Sequence, residues 1–214
     1  MKTLIVIPAR KGSSFKGKNL LPVNGIPMLE LAIDCATDNG DVIVSTDDPW
    51  AEALAVKKGI EVVKRPAELA INLATLDSVM VYMAKLKPDY VYYVCLQPCS
   101  PRRTNQHLKE ALDRIEQYDG DSLVSVCSEL KSIWRIDGKF AEPIVERTVN
   151  RQVANPVYVA NGAIFITKGS ALMRHQRRAV GRVVLYEMDW KDSIDVHNEF
   201  DIRLAEWLSS GMKS

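Results

Sequence analysis

The residues most able to do chemistry stand together near the start of the chain: Arg10, Lys11, Gly12, Ser13, Ser14, Lys16, Gly17, Lys18 and Asn19. Cations, glycines and small polar side chains in one loop suit a polyanion laid against exposed backbone N–H groups. The glycines let the backbone come close, and the cations offset phosphate charge. The spacing matches neither G-x-x-x-x-G-K-[ST] nor G-x-G-x-x-G. Composition alone leaves a solvated basic loop open as the other reading. Position favours nucleotide binding, because the loop follows Leu4 to Ile7, a short apolar run bounded by Pro8 that reads as a buried strand.

The elements that must hold this loop repeat in a regular order. Helical patterns start at Pro27, at Asp48-Pro49 (an N-cap with proline in the first turn), at Asp77 and at Asn105. Strand patterns cover 42–44, 60–63, 90–96 and 122–126, and the 90–96 run is too apolar on both faces for an edge. Strand, loop and helix alternating in this way predict an α/β fold, a mostly parallel sheet with helices on both faces in three layers. Ligands of such sheets bind outside the carboxyl ends of the strands. Three polar loops, 10–19, 45–48 and 97–103, should therefore converge.

From 131 to 159 the pattern changes. Ile133–Ile136, Asp137-Gly138 and Lys139-Phe140 give a hairpin signal, and 142–159 has two prolines and no helical period. So long an irregular stretch is usually functional or packs on something else. We read it as an arm on the single domain 1–214 that docks on a second copy, with a surface loop as the competing reading. Strands at 162–167 and 183–186 follow. A last amphipathic helix has Phe200, Leu204 and Leu208 on one side. Trp134 and Trp190 read as packing residues, Arg102-Arg103 as a solvated helix entry, and Asp47 as either a cap or a ligand contact.

The bulk numbers exclude some classes. A net charge of +1 over 214 residues gives no global field for nucleic acid or an anionic membrane. No aromatic-interleaved basic face is present. No apolar run approaches the ~20 residues that span a bilayer, and the N-terminus lacks a signal-peptide pattern, so a cytoplasmic protein is expected. Cys35, Cys95, Cys99 and Cys127 are dispersed. Cys95 and Cys127 suit core packing better than zinc or a disulfide.

With its loops laid out, the chain resembles the N-acylneuraminate cytidylyltransferase (CMP-sialic acid synthetase) family. The blocks are Ile7-Pro-Ala-Arg10 with Gly12-Ser13 and Lys18-Asn19, Ser45-Thr-Asp47, Arg65-Pro-Ala-Glu-Leu69, Leu96-Gln-Pro-Cys-Ser-Pro101, Asn161-Gly-Ala-Ile164 and Asp192-Ser-Ile-Asp195. They occur in the family's order over almost the whole chain. The resemblance implies a Rossmann-like fold of the nucleotide-diphospho-sugar transferase type and a homodimer joined by the arm. It implies that the anomeric hydroxyl of a nine-carbon 2-keto sugar acid attacks the α-phosphorus of CTP. Catalytic roles fall to Arg10, Lys18 and Asp195. Nucleotide contacts fall to Ala9, Arg10, Ser13, Lys18, Asn19, Arg65 and Ala74, and acceptor contacts to Gln97, Arg135, Arg151, Asn161 and Phe165. Asp195 and His197 stand at the metal position. Mg²⁺ is the expected ion, with Mn²⁺ admitted because imidazole suits it better.

Three departures bear on the substrate. The opening loop is one residue shorter than is usual in the family. Asn72 to Leu76 replaces a hydroxyl-rich stretch with one carrying Leu73 and Leu76. The second residue of the metal motif is His197, which reads either as a ligand or as a helix-entry residue, with Asp201 a substitute. The alternatives are therefore the same reaction on pseudaminic or legionaminic acid, on Kdo or on a phosphonate, or a CTP-binding homologue with impaired turnover.

Overall fold

The computed structural model describes residues 2–12, 17–145 and 155–210. Its first strand, β1 (Thr3–Ala9), is buried along its whole length, as a strand covered on both faces must be. A 3₁₀ turn at Lys18–Leu20 and the short strands β2 (Pro22–Val23) and β3 (Ile26–Pro27) lead into α1 (Met28–Ala36). Then come β4 (Asp41–Thr46), α2 (Pro49–Lys57), β5 (Glu61–Lys64), α3 (Leu76–Leu86), β6 (Tyr92–Cys95), α4 (Asn105–Gln117) and β7 (Ser122–Glu129). The remainder is β8 (Ile133–Asp137), β9 (Phe140–Val145), β10 (Val157–Lys168), α5 (Gly169–His175), β11 (Val183–Glu187) and α6 (Glu199–Ser209).

Seven strands form the central sheet in the order β11-β7-β10-β6-β1-β4-β5. β6, β1, β4 and β5 run parallel. β10 enters antiparallel to both β6 and β7, and β11 is parallel to β7. The sheet is mostly parallel, as expected, and its central reversal lies beside the β6 terminus. One face packs α1, α2 and α4 through Leu29, Ala51 and Leu108; the other packs α3 and α5 through Met80, Met83 and Leu172. Each fully buried aliphatic side chain contributes about 2 kcal/mol relative to exposure. The helices begin where the sequence places caps. The Asp48 carboxylate accepts from the Trp50 amide, and Thr104 with His107 and Asn198 with Asp201 form capping boxes.

Two expectations need correction. The irregular stretch expected over 142–159 is shorter, because β9 runs to Val145 and β10 starts at Val157, pairing with β7 from Glu129. The hairpin forms with its turn one residue later than the Asp137-Gly138 signal: Asp137 pairs with Phe140, and Gly138, at φ 61, takes the first turn position, as a two-residue II′ turn requires. The last helix turns Ile202 and Ala205 to its apolar neighbours Val23, Met28 and Val196, while Phe200 stays exposed. An apolar stripe read at helical spacing gives a face, but neighbouring elements decide which face is covered.

Candidate active site

The opening loop is tied at its base. At the end of β4, Thr46 Oγ1 donates to the Ala9 carbonyl (2.5 Å) and accepts from the Asp48 amide (2.9 Å). The Lys11 amide donates to Asp47 Oδ1 (2.9 Å), and Asn19 Nδ2 donates to the Arg10 carbonyl (3.2 Å). Asp47 thus anchors the loop, and Asp48 caps the helix. Loop residue Ser13, an expected nucleotide contact, and Arg151 on the arm lie outside the described residues.

The carboxyl ends of β1 and β6 open onto a cleft of about 220 Å³ lined by Arg10, Lys18, Asn19, Arg65, Ala74 and Gln97, with Leu76 and Val79 on its α3 side. Six expected residues therefore meet in one place, from the first and third loops and the segment after β5. Ala9, the last residue of β1, is buried behind them. Lys18 is buried and forms no ion pair with any described residue. Arg65 donates from Nη2 to the Ser45 carbonyl (3.1 Å), while its Nε is buried without a partner. Burial pulls the Arg65 pKa down, Asp47 pulls it up, and Arg10 pushes it down again. A guanidinium keeps its proton in proteins regardless. Unpaired buried positive charge is costly, so the cleft is preorganised for an anion that replaces the missing partners. Arg10 is held across the entrance by Asn72, Nη1 to Oδ1 2.8 Å.

At the far end of the cleft, Gln97 Nε2 donates to the Gly162 carbonyl (2.9 Å). The β7–β10 register shifts between Ala160 and Phe165, and Gly162 sits in that irregularity at φ 75. A Cβ at Gly162 would stand 3.3 Å from both Gln97 Nε2 and Asp195 Oδ2, so a side chain there would crowd both. Asp195 Oδ1 is buried with no hydrogen-bond partner. Its Oδ2 lies 3.1 Å from His197 Nε2. Burial, and then the Asp195 carboxylate, push the Cys99 thiol up to about 12. A second cavity of about 440 Å³ adjoins here, lined by Cys127, Asn161, Trp190, Asp195 and His197 among others.

A divalent cation is expected at this place, and the donor set fits one in part. Asp195 offers a hard oxygen without a partner and His197 a nitrogen beside it. No group of three potential ligands is present among the described residues, so the remaining positions would fall to substrate phosphate and water. Asp201 is not a substitute ligand in this arrangement. Its Oδ2 accepts from the amides of His197 and Asn198.

Several expected residues are used otherwise. Asn161 is buried, accepting from Ser125 Oγ (2.6 Å) and the Ala163 amide (3.2 Å) and donating to Ser193 Oγ (2.9 Å). Its side chain braces the β10 irregularity and lines the second cavity rather than the first cleft. Phe165 packs beside the α3-side core under Arg178, whose guanidinium carbon is 4.3 Å from the ring centroid. Arg135 lies on the exposed hairpin, bound to Glu142. Arg103 is no solvated helix entry: it is buried and donates to the carbonyls of Gln97 (3.0 Å) and Ala163 (2.7 Å), clamping β6 to β10. Trp134 and Trp190 are each 54% exposed rather than packed inside. The Arg103 clamp joins residues far apart in sequence, so no local pattern announces it. Pro98 and Cys99, which also line the cleft, were legible only as part of the third loop.

The cytidylyltransferase family profile matches residues 4–190. The chain belongs to this family. It is 33% identical to an N-acylneuraminate cytidylyltransferase of Streptococcus agalactiae serotype V over 94% of its own length and 52% of that protein's. The chain thus spans about half the length of the curated relatives it matches. Among solved structures, it superposes on a CMP:2-keto-3-deoxy-manno-octonic acid synthetase complexed with CTP, TM-score 0.67 and 17% identity, covering 88% of this chain and 90% of that one. It also superposes on the 4-diphosphocytidyl-2C-methyl-D-erythritol synthase of Anaerococcus prevotii, TM-score 0.70 and 12% identity, covering 98% and 99%. The fold is therefore the nucleotide-diphospho-sugar transferase type, a mostly parallel sheet between helices. No described helix is long and apolar enough to cross a membrane.

Proposed function

We propose that the chain couples CTP to a 2-keto sugar acid of the nine-carbon class, releasing pyrophosphate and forming the CMP-sugar. The observation that carries this reading is the cleft where Arg10, Lys18 and Arg65 gather unpaired positive charge opposite Gln97 and Asp195. The anomeric oxygen forms a bond to the α-phosphorus, the bond from that phosphorus to the bridging oxygen breaks, and the hydroxyl proton is released. Such a transfer needs positioning and charge stabilisation more than covalent help. Lys18 and Arg10 take the charge that accumulates on the departing pyrophosphate. Arg65 and Asn19 hold the nucleotide, with Ala74 against it. Gln97 orients the acceptor. Asp195, with His197 beside it, would hold Mg²⁺ or Mn²⁺, which would neutralise phosphate charge. Arg10 lines the cleft with one N–H on Asn72, which leaves its other donors for the triphosphate.

The hairpin supports a homodimer. Trp134 and Ile136 on one face and Phe140 on the other leave large apolar side chains in water, Phe140 at 82% exposure. A partner copy would cover them and bring Arg151 towards the neighbouring cleft.

A second reading keeps CTP binding without turnover, and the 3.1 Å contact between His197 and Asp195 favours it by partly engaging the carboxylate. One experiment separates the two. Pyrophosphate release from CTP is measured with N-acetylneuraminate, pseudaminate, legionaminate and Kdo, each with Mg²⁺ and Mn²⁺, alongside CTP binding by calorimetry and mass by light scattering. Release with a nine-carbon acid supports the transferase, and twice the chain mass supports the dimer. CTP binding with no release from any acid or metal sinks the transferase reading.

A further inference from the structure

Arg178 belongs to no motif singled out in the sequence, yet its guanidinium is placed with care. Nε donates to Asp77 Oδ1 at 2.6 Å, and the backbone amide reaches the same oxygen at 3.3 Å. The plane lies against the Phe165 ring. Only 18% of the side chain is exposed. Of its five N–H donors, the four on Nη1 and Nη2 meet no oxygen among the described residues. Their one contact is Nη1 to Cys95 Sγ at 3.9 Å, a weak acceptor. One carboxylate holds this mostly buried guanidinium through Nε, and its Nη1/Nη2 edge stays open to a second, bidentate acceptor.

The fork sits beside Cys95 of β6, two residues before Gln97 of the cleft wall. Cys95 and Gln97 are two residues apart on β6 and its extension, where the Leu96 amide still pairs with the Val6 carbonyl. They therefore share one face of the sheet, about 7 Å apart. Phe165, under the guanidinium, is the β10 partner of Cys95. Asp77, which fixes the guanidinium, follows Leu76 of the cleft wall. Among the described cations named for the site, Arg10, Lys18 and Arg65 line the nucleotide end, Arg103 is taken by backbone carbonyls and Arg135 by Glu142.

We propose that Arg178 is an acceptor-binding residue, receiving the carboxylate of the sugar acid on its open Nη1/Nη2 edge. Asp77 and Phe165 are its positioning residues. The inference rests on the transferase reading above and deepens it by naming the group that reads the acid. A bidentate fork demands a planar anion, so an acceptor whose carboxyl is esterified loses this contact.

The test uses Arg178→Met, which keeps volume over Phe165, and Arg178→Lys, which keeps charge without the fork. CTP affinity confirms that each variant retains the folded nucleotide site. Pyrophosphate release is measured with N-acetylneuraminate and its methyl ester, or with whichever nine-carbon acid supports release and its ester. The expected result is a KM for the acid raised at least tenfold in Arg178→Met, with KM for CTP within twofold of wild type. The preference for acid over ester should collapse, and Arg178→Lys should fall between. If Arg178→Met does not fold, the same loss of preference in Arg178→Lys carries the test. An acid-to-ester preference unchanged in the variants, or acid and CTP weakened in parallel, overturns the inference and leaves the transferase reading standing. No release by the unaltered protein from any acid overturns both.

Discussion

The two ends of the cleft are built in different ways. At the nucleotide end, Arg65 and Lys18 are buried on the parallel half of the sheet, and the loop base is closed by hydrogen bonds from Thr46, Lys11 and Asn19. At the acceptor end, Gln97, Gly162 and Asp195 meet where β10 runs against its neighbours and slips register. His197 and Trp190 there face a wide, open cavity. On the transferase reading, the preformed end receives the nucleotide. The acceptor end depends on an irregularity, on buried polar bracing and on residues that depart from the family pattern. On the same reading, specificity for the acceptor falls to the less regular half.

The largest effect should come from Lys18. Lys18→Ala removes the buried cation proposed to take charge from the departing pyrophosphate, a loss that typically costs about 100- to 1,000-fold in turnover. The melting temperature should hardly change, since Lys18 has no ion pair to lose among the described residues. Turnover within tenfold of wild type would show that the two ends do not divide the work as described. Next comes Arg65→Met. CTP should bind at least tenfold more weakly by calorimetry, because the Nε and Nη groups that await the anion are gone. The unliganded protein should be as stable or more so, because replacing an under-paired buried charge by an apolar side chain is often neutral or favourable. A large loss of unliganded stability would instead make Arg65 a structural residue.

The same contrast governs what could be read from the sequence. Strands, helices and caps of the parallel half follow from local rules. Apolar runs gave β1, β4 and β6, and Asp48-Pro49 gave the start of α2. The convergence of Arg10, Lys18, Asn19, Arg65 and Gln97 follows from one topological rule about strand ends. The mixed half obeys no such rule. The family match makes Asn161 an acceptor contact, and in the structure its amide is also used by Ser125, Ala163 and Ser193 at the edge of the second cavity. Arg103 was read as solvated because two adjacent arginines usually are, whereas two carbonyls more than 60 residues apart bury it. Arg178 was passed over for the same reason. Its partners Asp77, Cys95 and Phe165 come from three separate elements, and such meetings exist only after folding.

The bracing at the acceptor end predicts a third, smaller effect. Ser125 Oγ donates to Asn161 and accepts from the buried Ile164 amide (2.7 Å). Ser125→Ala leaves both short of a partner and should lower unfolding stability by about 1–3 kcal/mol, read by denaturant titration. CTP affinity should stay within threefold, since no nucleotide-end contact is touched. Equal loss of CTP affinity would mean that the two ends are mechanically coupled through β10.

The smallest effect sharpens the comparison at the point where the ends join. Cys99 lies on the cleft wall against Asp195, and burial first, the carboxylate second, raise its pKa to about 12 from an ordinary value near 9. The thiolate is the reactive form, so iodoacetamide at pH 8 should label the partly exposed Cys127 before Cys99, as read by peptide mass spectrometry. Asp195→Asn removes the negative neighbour and should speed Cys99 labelling by a few-fold. A divalent cation bound at Asp195 should act in the same direction, so Mn²⁺ or Mg²⁺ should raise Cys99 labelling in the wild-type protein and not in Asp195→Asn. The linkage has a sign as well. The unfolded thiol ionises near 9 and the folded one only near 12, so the native state holds the extra proton between these values and loses stability as pH rises through them. Cys99→Ala should flatten that part of the alkaline limb. If metal leaves Cys99 labelling unchanged while accelerating turnover, the ion is held away from Asp195, and the unpartnered Oδ1 has another role.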